Sequence, residues 1–342
     1  MQANDWDLPP PPVAPVADRS PWRLVIAMAI AAALVVGAFM VPIPVFFLYV
    51  PGPVRDVEKL VHVDDAKTYS SEGQLFLTTV NIKPSVTFVD LIKAGLDPHM
   101  DVVMKEDVTQ GMTLREVREQ AKADMRESKQ AARQTAFAAL GLPAGEGARV
   151  VETVADSPAA SLLREGDRIV GLDGRDMSTA CDVQQAIAKR QPGDVVRMTL
   201  FRDGERQTIP IETVDHPAQA GSAFVGISMA DVVGKSLGVQ FETGEIGGPS
   251  AGLMFSLALY DQLTPDDLTH GRKIAGTGAI YCGGIVGPIG GIEEKVASAE
   301  REGAEIFLAP ELNFDAARDA AGEIEVVSVG TFDDAVEYLE SL

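Results

Sequence analysis

The order of apolar and polar residues predicts an N-terminal apolar helix, a middle region of short strands and a C-terminal region in which strands and helices alternate. No charged residue lies between Leu24 and Val50. Residues 24–41 are long enough to cross a bilayer as a helix, and Pro42 would end that helix. The aromatic residues expected at the outer interface are Phe46, Phe47 and Tyr49. We therefore predict a single membrane anchor over residues 23–50.

The N-terminal region has alternative interpretations. Residues 1–22 are polar and rich in proline, which predicts a disordered tail, with a proline-rich peptide ligand as the alternative. A cleaved signal peptide is the alternative to the anchor, because residues 31–33 are all alanine and resemble a processing site. The apolar core of a signal peptide is shorter than this one, so the uncleaved anchor is favoured.

The middle region contains strands that need a partner sheet. The runs at 74–80 and 86–89 are apolar or β-branched and predict strands. One hypothesis is that they pair with the C-terminal region, which would make the segment between the two regions an insertion. A capping box at Thr113 and Glu116 then begins a long charged helix. One face of that helix is predicted to be a packing surface, formed by Val117, Ala121, Met125, Ala132, Ala136 and Ala139.

The C-terminal region has the pattern of an α/β domain, because its strands alternate with helices. Helices are predicted over residues 250–262, 293–302 and 331–341, and buried strands over 305–310 and 324–329.

Charge and cysteine content narrow the classes of function. The 342 residues carry a net charge of −21, which argues against nucleic acid as a partner because phosphate binding needs a basic surface. The same charge gives no affinity for an anionic lipid surface, so membrane attachment must come from apolar sequence. Cys181 and Cys282 are far apart and are interpreted as ordinary small residues, with no disulfide scaffold indicated. No metal-ligand motif is present, so neither a metal nor another cofactor is predicted.

Residues 247–252 carry the candidate nucleophile. Small residues surround Ser250 and leave its hydroxyl open to a substrate carbonyl. Pro249 suits the first position of a helix, so backbone N–H groups at a helix N-terminus would surround an oxyanion here. The Gly-x-Ser-x-Gly spacing also matches the nucleophile elbow of α/β-hydrolases, which needs an acid and then a histidine. Of the four histidines only His270 follows Ser250, in a polar segment, so a histidine base is not expected.

A lysine can replace the histidine if burial keeps its amine uncharged. Lowering a lysine pKa from about 10.4 to about 7 corresponds to about 4–5 kcal/mol, so such a site must be largely dry. Lys273 lies beside Arg272 in a polar segment. Lys295 follows a glycine pair and begins a helix of small residues, and it is therefore the better candidate.

Three blocks at matching spacing resemble the proteolytic domain of Lon-type serine–lysine proteases. They are Gly-Pro-Ser-Ala-Gly at 248–252, Thr-Gly-Ala-Ile at 277–280 and Pro-Ile-Gly-Gly-Ile-x-x-Lys at 288–295. The resemblance implies that Ser250 is the nucleophile and Lys295 the general base. It also implies active-site support by Gly248 and by Thr277, which falls where the family has a threonine that hydrogen-bonds the lysine.

The sequence departs from the Lon pattern at two positions. Gly247 stands where many Lon enzymes have an acidic residue, and Ala279 replaces their usual glutamate. These departures affect the polar support of the site and leave the pair of catalytic residues intact. The structural alternative is that residues 248–252 form only a loop-to-helix turn with a capping serine, but the matching threonine and lysine blocks favour the catalytic interpretation.

Residues 148–174 resemble a bacterial PDZ domain, with a strand, a short helix started by Pro158, a Gly-Asp turn, a second strand and an Asp-Gly turn. A helix over residues 183–189 would line the peptide groove. PDZ domains add an extended peptide to a sheet edge and can hold its terminal carboxylate on backbone N–H groups. The sequence closest to such a carboxylate loop is Leu140, Gly141 and Leu142. A plain helix C-cap at Gly141 is the alternative.

These patterns predict a multidomain protein. Its parts are a disordered tail (1–22), a transmembrane anchor (23–50), a strand-rich segment with a long helix that packs on the protease domain (51–136), an α+β PDZ domain (137–214) and an α/β Lon-type domain (215–342). Lon-like proteins with such an anchor imply a single-pass cell-membrane protein, with the PDZ and protease domains on the extracytoplasmic side. Lon-type domains commonly form rings, so a homo-oligomer is compatible with the resemblance.

The predicted function is that of a membrane-anchored, ATP-independent serine endopeptidase with a Ser-Lys dyad. Its substrates would be unfolded or flexible exported proteins or peptides selected by the PDZ domain. The Gly-Lys-Ser run at 234–236 is not a nucleotide loop, because Met229 stands where the first glycine is required. The alternative is a PDZ peptide-binding adaptor whose Lon-like domain is catalytically inactive.

Overall fold

The computed structural model describes residues 21–232, 234 and 237–342, so most of the predicted tail lies outside the described residues. The α-helices of these residues are α1 (Pro21–Phe39), α2 (Phe88–Ala94), α3 (Lys105–Thr109), α4 (Leu114–Ala139), α5 (Ala180–Ala188), α6 (Gly252–Leu263), α7 (Ile292–Arg301), α8 (Phe314–Ala320) and α9 (Phe332–Glu340). The strands are β1 (Phe46–Pro51), β2 (Arg55–Asp56), β3 (Val61–Val63), β4 (Gln74–Leu77), β5 (Val80–Lys83), β6 (Asp101–Met104), β7 (Ala148–Thr153), β8 (Arg168–Leu172), β9 (Arg175–Asp176), β10 (Val195–Arg202), β11 (Glu205–Glu212), β12 (Val214–His216), β13 (Gln219–Phe224), β14 (Ile227–Asp231), β15 (Val239–Phe241), β16 (Lys273–Gly276), β17 (Ala279–Ile280), β18 (Val286–Gly287), β19 (Ile306–Pro310) and β20 (Glu325–Val329).

The described residues of the N-terminal helix α1 contribute no side chain to a hydrophobic core. Among the described residues, Trp22–Phe39 is the one helix long and apolar enough to cross a membrane, and none of it is buried. The interpretation of Phe46, Phe47 and Tyr49 as interfacial aromatics is wrong, because all three lie in strand β1. That strand pairs with β5 on one side and β6 on the other, and Phe47 is buried.

A parallel sheet lies at the centre of the C-terminal region. Its strand order is β2-β4-β16-β19-β20, and every pairing except β2 with β4 is parallel. Strand β4 comes from the middle region, so residues on both sides of the PDZ-like segment build one sheet. Alternate residues of β19 face opposite sides of this sheet. Ile306 and Leu308 pack in the core that contains α6, and Phe307 and Ala309 pack in the core that contains α7.

The predicted strand at 86–89 is wrong, because Thr87 begins a helix instead. The Thr87 side chain accepts a hydrogen bond from the Asp90 N–H, and the Asp90 carboxylate accepts one from the Thr87 N–H. This reciprocal capping box satisfies two backbone donors at the start of α2. The apolar, β-branched character of the run favoured a strand, whereas the spacing of Thr87 and Asp90 favoured the cap.

The long helix α4 begins at the predicted capping box of Thr113 and Glu116. Met125, Ala132 and Ala136 are buried in the same core as the body of α6. The prediction that this face of α4 is a packing surface is therefore confirmed at these three positions, whereas Ala139 at the end of the helix is exposed. Helix α4 lies directly against the helix that follows Ser250.

The PDZ-like region forms an antiparallel sheet of its own, with strand order β11-β10-β8-β7-β14 and β9 paired to β8. Asp203 and Gly204 both have positive φ, as a two-residue type I′ hairpin between β10 and β11 requires. Edge strand β14 follows residue 214 in the chain and still pairs with β7. The domain boundary at residue 214 stays a prediction, although the sheet takes this strand from beyond it.

The interpretation of the two cysteines as ordinary small residues is wrong. Cys181 and Cys282 form a disulfide, with their Cα atoms 5.4 Å apart. Cys181 lies in the first turn of α5 and Cys282 follows β17. Since 101 positions separate them, only the packing of the PDZ-like region against the C-terminal region brings them together.

Candidate active site

Ser250 lies in the turn that leads into α6. The helix begins at Gly252, and Ala251 occupies its N-cap position. The prediction that Pro249 starts the helix is therefore wrong, since Pro249 lies in the turn before it. The position of Ser250 near a helix N-terminus remains, and its side chain is half-buried.

Helix α4 holds this turn in place. The Gly248 N–H donates to the Ala121 carbonyl over 2.8 Å, and the Ser128 hydroxyl donates to the Pro249 carbonyl over 3.0 Å. Gly248 has a φ of 92°, a conformation that glycine adopts without strain. A Cβ atom at Gly247 would come within 3.0 Å of the Ala121 Cβ. The packing of α4 therefore leaves little room for the acidic residue that the Lon pattern has at this position.

Lys295 lies in the first turn of α7, and only 4% of it is exposed. Burial lowers the pKa of Lys295 from 10.5 to about 7, against the opposing effect of the Glu294 charge. The cause is the loss of hydration of the ammonium form. A substantial fraction of this amine is therefore uncharged near neutral pH, as a lysine base requires.

Thr277 connects Lys295 to the backbone of Ser250. The Lys295 Nζ donates to the Thr277 Oγ1 over 2.9 Å, and the Thr277 Oγ1 donates to the Ser250 carbonyl over 3.1 Å. The adjacent Gly278 N–H donates to the same carbonyl over 2.9 Å. Thr277 is completely buried, so these bonds are shielded from water.

One cleft of about 740 Å³ contains both Ser250 and Lys295 in its lining. Its walls come from the N-terminal sheet, from α4 and from the loops around the site, including Tyr49, Val80, Asn81, Ile82, Met125 and Gly290. No hydrogen bond joins the Ser250 hydroxyl to the Lys295 Nζ within the part of the chain that the structure describes. The structure thus brings Ser250, Lys295 and Thr277 together, with Gly248 in the supporting turn.

Two backbone donors beside Ser250 are free to bind an oxyanion. The N–H groups of Ser250 and Ala251 donate no hydrogen bond to any described residue, whereas the Gly248 N–H is occupied by Ala121. Free N–H groups at a helix N-terminus stabilise negative charge.

The burial of Ala279 accounts for the second departure from the Lon pattern, the absence of a glutamate at this position. Ala279 is 1% exposed and lies in β17, opposite Gly287 of β18. A glutamate at this position would place a carboxylate among packed residues, which is costly without a partner.

Glu294 is a buried acid that sequence reasoning missed. It is 2% exposed, and its Oε1 has no hydrogen-bond partner among the described residues. Burial raises the pKa of Glu294, and the charges of Asp101 and Glu293 raise it further. Because Asp101 belongs to the distant strand β6, no local pattern in the sequence predicted this environment.

The predicted carboxylate loop of the PDZ-like region has no free N–H groups. The N–H of Leu140 donates to Ala136, that of Gly141 to Ala138 and that of Leu142 to Phe137. The last two bonds, with Gly141 at a φ of 67°, form a Schellman motif at the end of α4. The helix C-cap, which was the alternative, therefore accounts for all three residues.

The loop before β14 offers the donors that residues 140–142 lack. The N–H groups of Val225 and Gly226 donate to no described residue, although the Val225 carbonyl accepts from the Ala159 N–H and the Gly226 carbonyl from the Val154 N–H. Gly226 has a φ of 81°, and β14 is an edge strand of the sheet. This Val-Gly-Ile run has the same apolar–glycine–apolar pattern as residues 140–142, and that pattern was the signal that could have found it.

Comparison with known proteins supports the assignment of both the PDZ domain and the Lon-type domain. A PDZ domain model matches residues 101–213, and the model of the Lon protease C-terminal proteolytic domain matches residues 213–339. The Lon protease of Phenylobacterium zucineum is 30% identical over 156 residues, covering 44% of this chain and 19% of that protein. The Lon protease of Desulforamulus reducens is 33% identical over 131 residues, covering 35% of this chain and 16% of that protein.

Other proteins also match part of the chain. The probable periplasmic serine endoprotease DegP-like of Rhizobium meliloti is 33% identical over 82 residues, or 24% of this chain and 16% of that protein. The PDZ domain of an SdrC-like protein from Listeria monocytogenes aligns with 25% of this chain and 87% of its own, with 24% identity and a TM-score of 0.23. The matches cover less than a fifth of each Lon or DegP-like relative. Behind its N-terminal apolar helix, the chain carries a PDZ domain and the C-terminal proteolytic domain of the Lon serine proteases.

Proposed function

We propose that this protein is a membrane-anchored serine endopeptidase that works without ATP and uses Ser250 and Lys295 as its dyad. The observation that carries the proposal is the buried amine of Lys295, which shares a cleft with Ser250 and whose pKa is lowered to about 7. Thr277 holds that amine by a hydrogen bond. An uncharged lysine in the same cleft as a half-buried serine is the pair of groups that nucleophilic catalysis without histidine requires.

The reaction would proceed by acyl transfer. The Ser250 Oγ attacks the peptide carbonyl carbon while its proton passes to the lone pair of the Lys295 Nζ. The N–H groups of Ser250 and Ala251 bind the oxyanion that forms. Lys295 then donates the proton to the leaving amine, which leaves an ester on Ser250. Water then attacks that ester while Lys295 accepts its proton. Lys295 returns this proton to the Ser250 Oγ as the acyl–oxygen bond breaks, which releases the acid product and restores the free hydroxyl and the neutral amine.

The substrate would be an extended segment of an unfolded or flexible protein. Among the strands of the described residues, β5 pairs with β1 alone, and its residues Val80, Asn81 and Ile82 line the cleft. An extended peptide can add to such a free edge by main-chain hydrogen bonds. The loop before β14 would hold a second part of the substrate, or its terminal carboxylate, on the N–H groups of Val225 and Gly226.

Helix α1 would anchor the protein, with the PDZ and protease domains on the extracytoplasmic side. The disulfide between Cys181 and Cys282 supports this side, because disulfides persist in oxidising compartments. The relative from Rhizobium meliloti is named a periplasmic protease, which agrees with such a location. A homo-oligomer stays a prediction.

Cleavage of an unstructured protein such as casein by the purified full chain in lipid nanodiscs tests the proposal. Ser250→Ala and Lys295→Ala should abolish cleavage. Lys273→Ala, which removes the exposed lysine that was the weaker candidate, should leave it unchanged, and added ATP should have no effect. Equal cleavage by all variants would reject the dyad. If neither the native protein nor any variant cleaves casein, and the native protein still binds peptide, the protein is a tethered peptide receptor instead.

A further inference from the structure

Helix α2 carries a row of exposed apolar side chains. Phe88 is 53% exposed, Ile92 51% and Leu96 82%. Phe88 and Ile92 are spaced by four residues and lie on one side of α2. Leu96 comes two residues after the end of α2, where its N–H donates to the Lys93 carbonyl in the closing turn, and it extends the same four-residue spacing. Single exposed apolar residues are ordinary, but a contiguous group marks a contact surface. We call Phe88, Ile92 and Leu96 the α2 stripe.

The α2 stripe begins at the end of helix α1. The ring of Phe39, the last residue of α1, packs edge-on against the ring of Phe88 with their centroids 5.5 Å apart. The Ile43 N–H also donates to the Val86 carbonyl over 2.7 Å. These two contacts tie the start of α2 to the point where the chain leaves α1.

The length of α1 sets the depth of that point in a bilayer. Its 19 residues extend about 28 Å at about 1.5 Å per residue, close to the bilayer core thickness of about 30 Å. If α1 spans the membrane, Phe39 therefore lies at the boundary between acyl chains and headgroups. Phe88 is in contact with Phe39 and must lie at nearly the same depth.

We propose that the α2 stripe is a lipid-binding surface that inserts into the headgroup region of the membrane beside α1. The proposal rests on the membrane anchoring proposed above and adds a second point of attachment. Apolar side chains on one side of a short helix are stabilised at this boundary, because their apolar surface is removed from water. The exposed ammonium of Lys93 can reach the lipid phosphates from the same helix.

The charges of α2 are compatible with this contact. The carboxylate of Asp90 is buried and accepts a hydrogen bond from the Lys83 ammonium over 2.8 Å, so it is paired away from the stripe. Asp97 follows the stripe, and its carboxylate accepts the N–H of His99. A second attachment would fix the orientation of the three-stranded sheet β5-β1-β6, and with it the cleft that Tyr49 and Ile82 line.

Spin labels in nanodiscs test the proposal on the full chain. Leu96→Cys places a label on the stripe, and Leu312→Cys is the matched control because Leu312 is 80% exposed and lies in the turn before α8. The native cysteines are in a disulfide and do not take the label. We expect the Leu96 label to collide several-fold more with oxygen and several-fold less with a water-soluble nickel chelate than the Leu312 label.

The outcomes separate the stripe from the anchor. Protein that co-elutes with nanodiscs could carry a Leu96 label that is as accessible to nickel as the control label. That result would reject lipid binding by the α2 stripe and would leave membrane anchoring by α1 intact. Protein that fails to enter nanodiscs at all would overturn the anchor and the stripe together. Dipolar broadening between Leu96 labels, absent from Leu312 labels, would show that a second copy of the chain covers the stripe and would also overturn lipid binding.

Discussion

The Lys295 Nζ donates a hydrogen bond to the Thr277 Oγ1 over 2.9 Å, and the same hydroxyl donates onward to the Ser250 carbonyl. A neutral amine has two N–H groups and one lone pair. Because one N–H is used for Thr277, the amine is held in place while its lone pair stays available to accept a proton. Thr277 therefore positions the proposed base relative to the backbone of the proposed nucleophile.

Thr277→Val should lower kcat by about tenfold to hundredfold, since misplacing a catalytic group by up to about 1 Å has effects of this size. It removes the acceptor for Lys295 and the donor to Ser250 but keeps the buried volume. Thr277→Ser keeps the hydroxyl and should retain most of the activity. Initial rates on a short peptide measure this difference. Equal rates for the two variants would show that Thr277 has only a packing role.

Removing the charge of Glu294 should change the pH dependence of cleavage. Activity of the native protein should rise through about pH 7, because Lys295 becomes neutral there. The Glu294 carboxylate raises the pKa of Lys295, so Glu294→Gln should move the acid limb of kcat/KM to lower pH. Glu293→Gln is the control, since Glu293 is exposed on the same helix turn. A shift of the acid limb to higher pH would contradict the assigned role of Glu294.

The same burial of Lys295 should lower the free energy of unfolding of the native protein at neutral and acidic pH. Lys295 has a lower pKa in the folded state than in the unfolded chain, so between about pH 7 and 10.5 the unfolded state binds more protons and stability rises with pH. The difference corresponds to about 4–5 kcal/mol as an upper figure. Lys295→Met should therefore raise the free energy of unfolding near pH 6, and the gain should shrink towards pH 10.

Urea titrations at the two pH values measure this effect, with Lys273→Met as the exposed control. A gain of the same size at both pH values would mean that the methionine acts through packing and not through the buried charge.

The residues of the proposed dyad could be predicted because each lies in a short motif with its own local geometry. Ser250 is surrounded by small residues, and Lys295 follows a glycine pair at the start of a helix. The support of the site could not be predicted in the same way. The bonds from Ala121 and Ser128 to the serine turn cross more than a hundred positions of sequence, and nothing local marks those two residues as its partners.

Local signals also competed with each other. The apolar, β-branched run at 86–89 predicted a strand, but the side-chain cap of Thr87 and Asp90 produced a helix. Leu140, Gly141 and Leu142 matched a carboxylate loop, but the end of α4 uses their N–H groups. In both cases the hydrogen bonds of a helix end decided the structure. The pattern of apolar residues could not show which donors were already occupied.

The disulfide provides the last prediction, because it joins two regions that the sequence does not connect. A cross-link over a separation of 101 positions restricts the unfolded chain, and such links commonly contribute about 2–4 kcal/mol. The double variant Cys181→Ser, Cys282→Ser should lose free energy of unfolding of this size. A reductant should destabilise the native protein by a similar amount and leave the double variant unchanged. Peptide mapping without reduction should find Cys181 and Cys282 in one linked species, and two alkylated thiols in native protein would contradict the bond.

Activity should respond less than stability to loss of this disulfide. Cys282 follows Thr277 by five positions, but Thr277 and Gly278 are held independently, by their own hydrogen bonds to the Ser250 carbonyl. The double variant should therefore keep its kcat on a short peptide at temperatures where it is folded. Substrates that must engage the PDZ domain as well should lose more, because Cys181 lies in α5 and its bond to Cys282 fixes that helix to the protease domain. An equal loss on both kinds of substrate would show that the disulfide shapes the catalytic cleft itself.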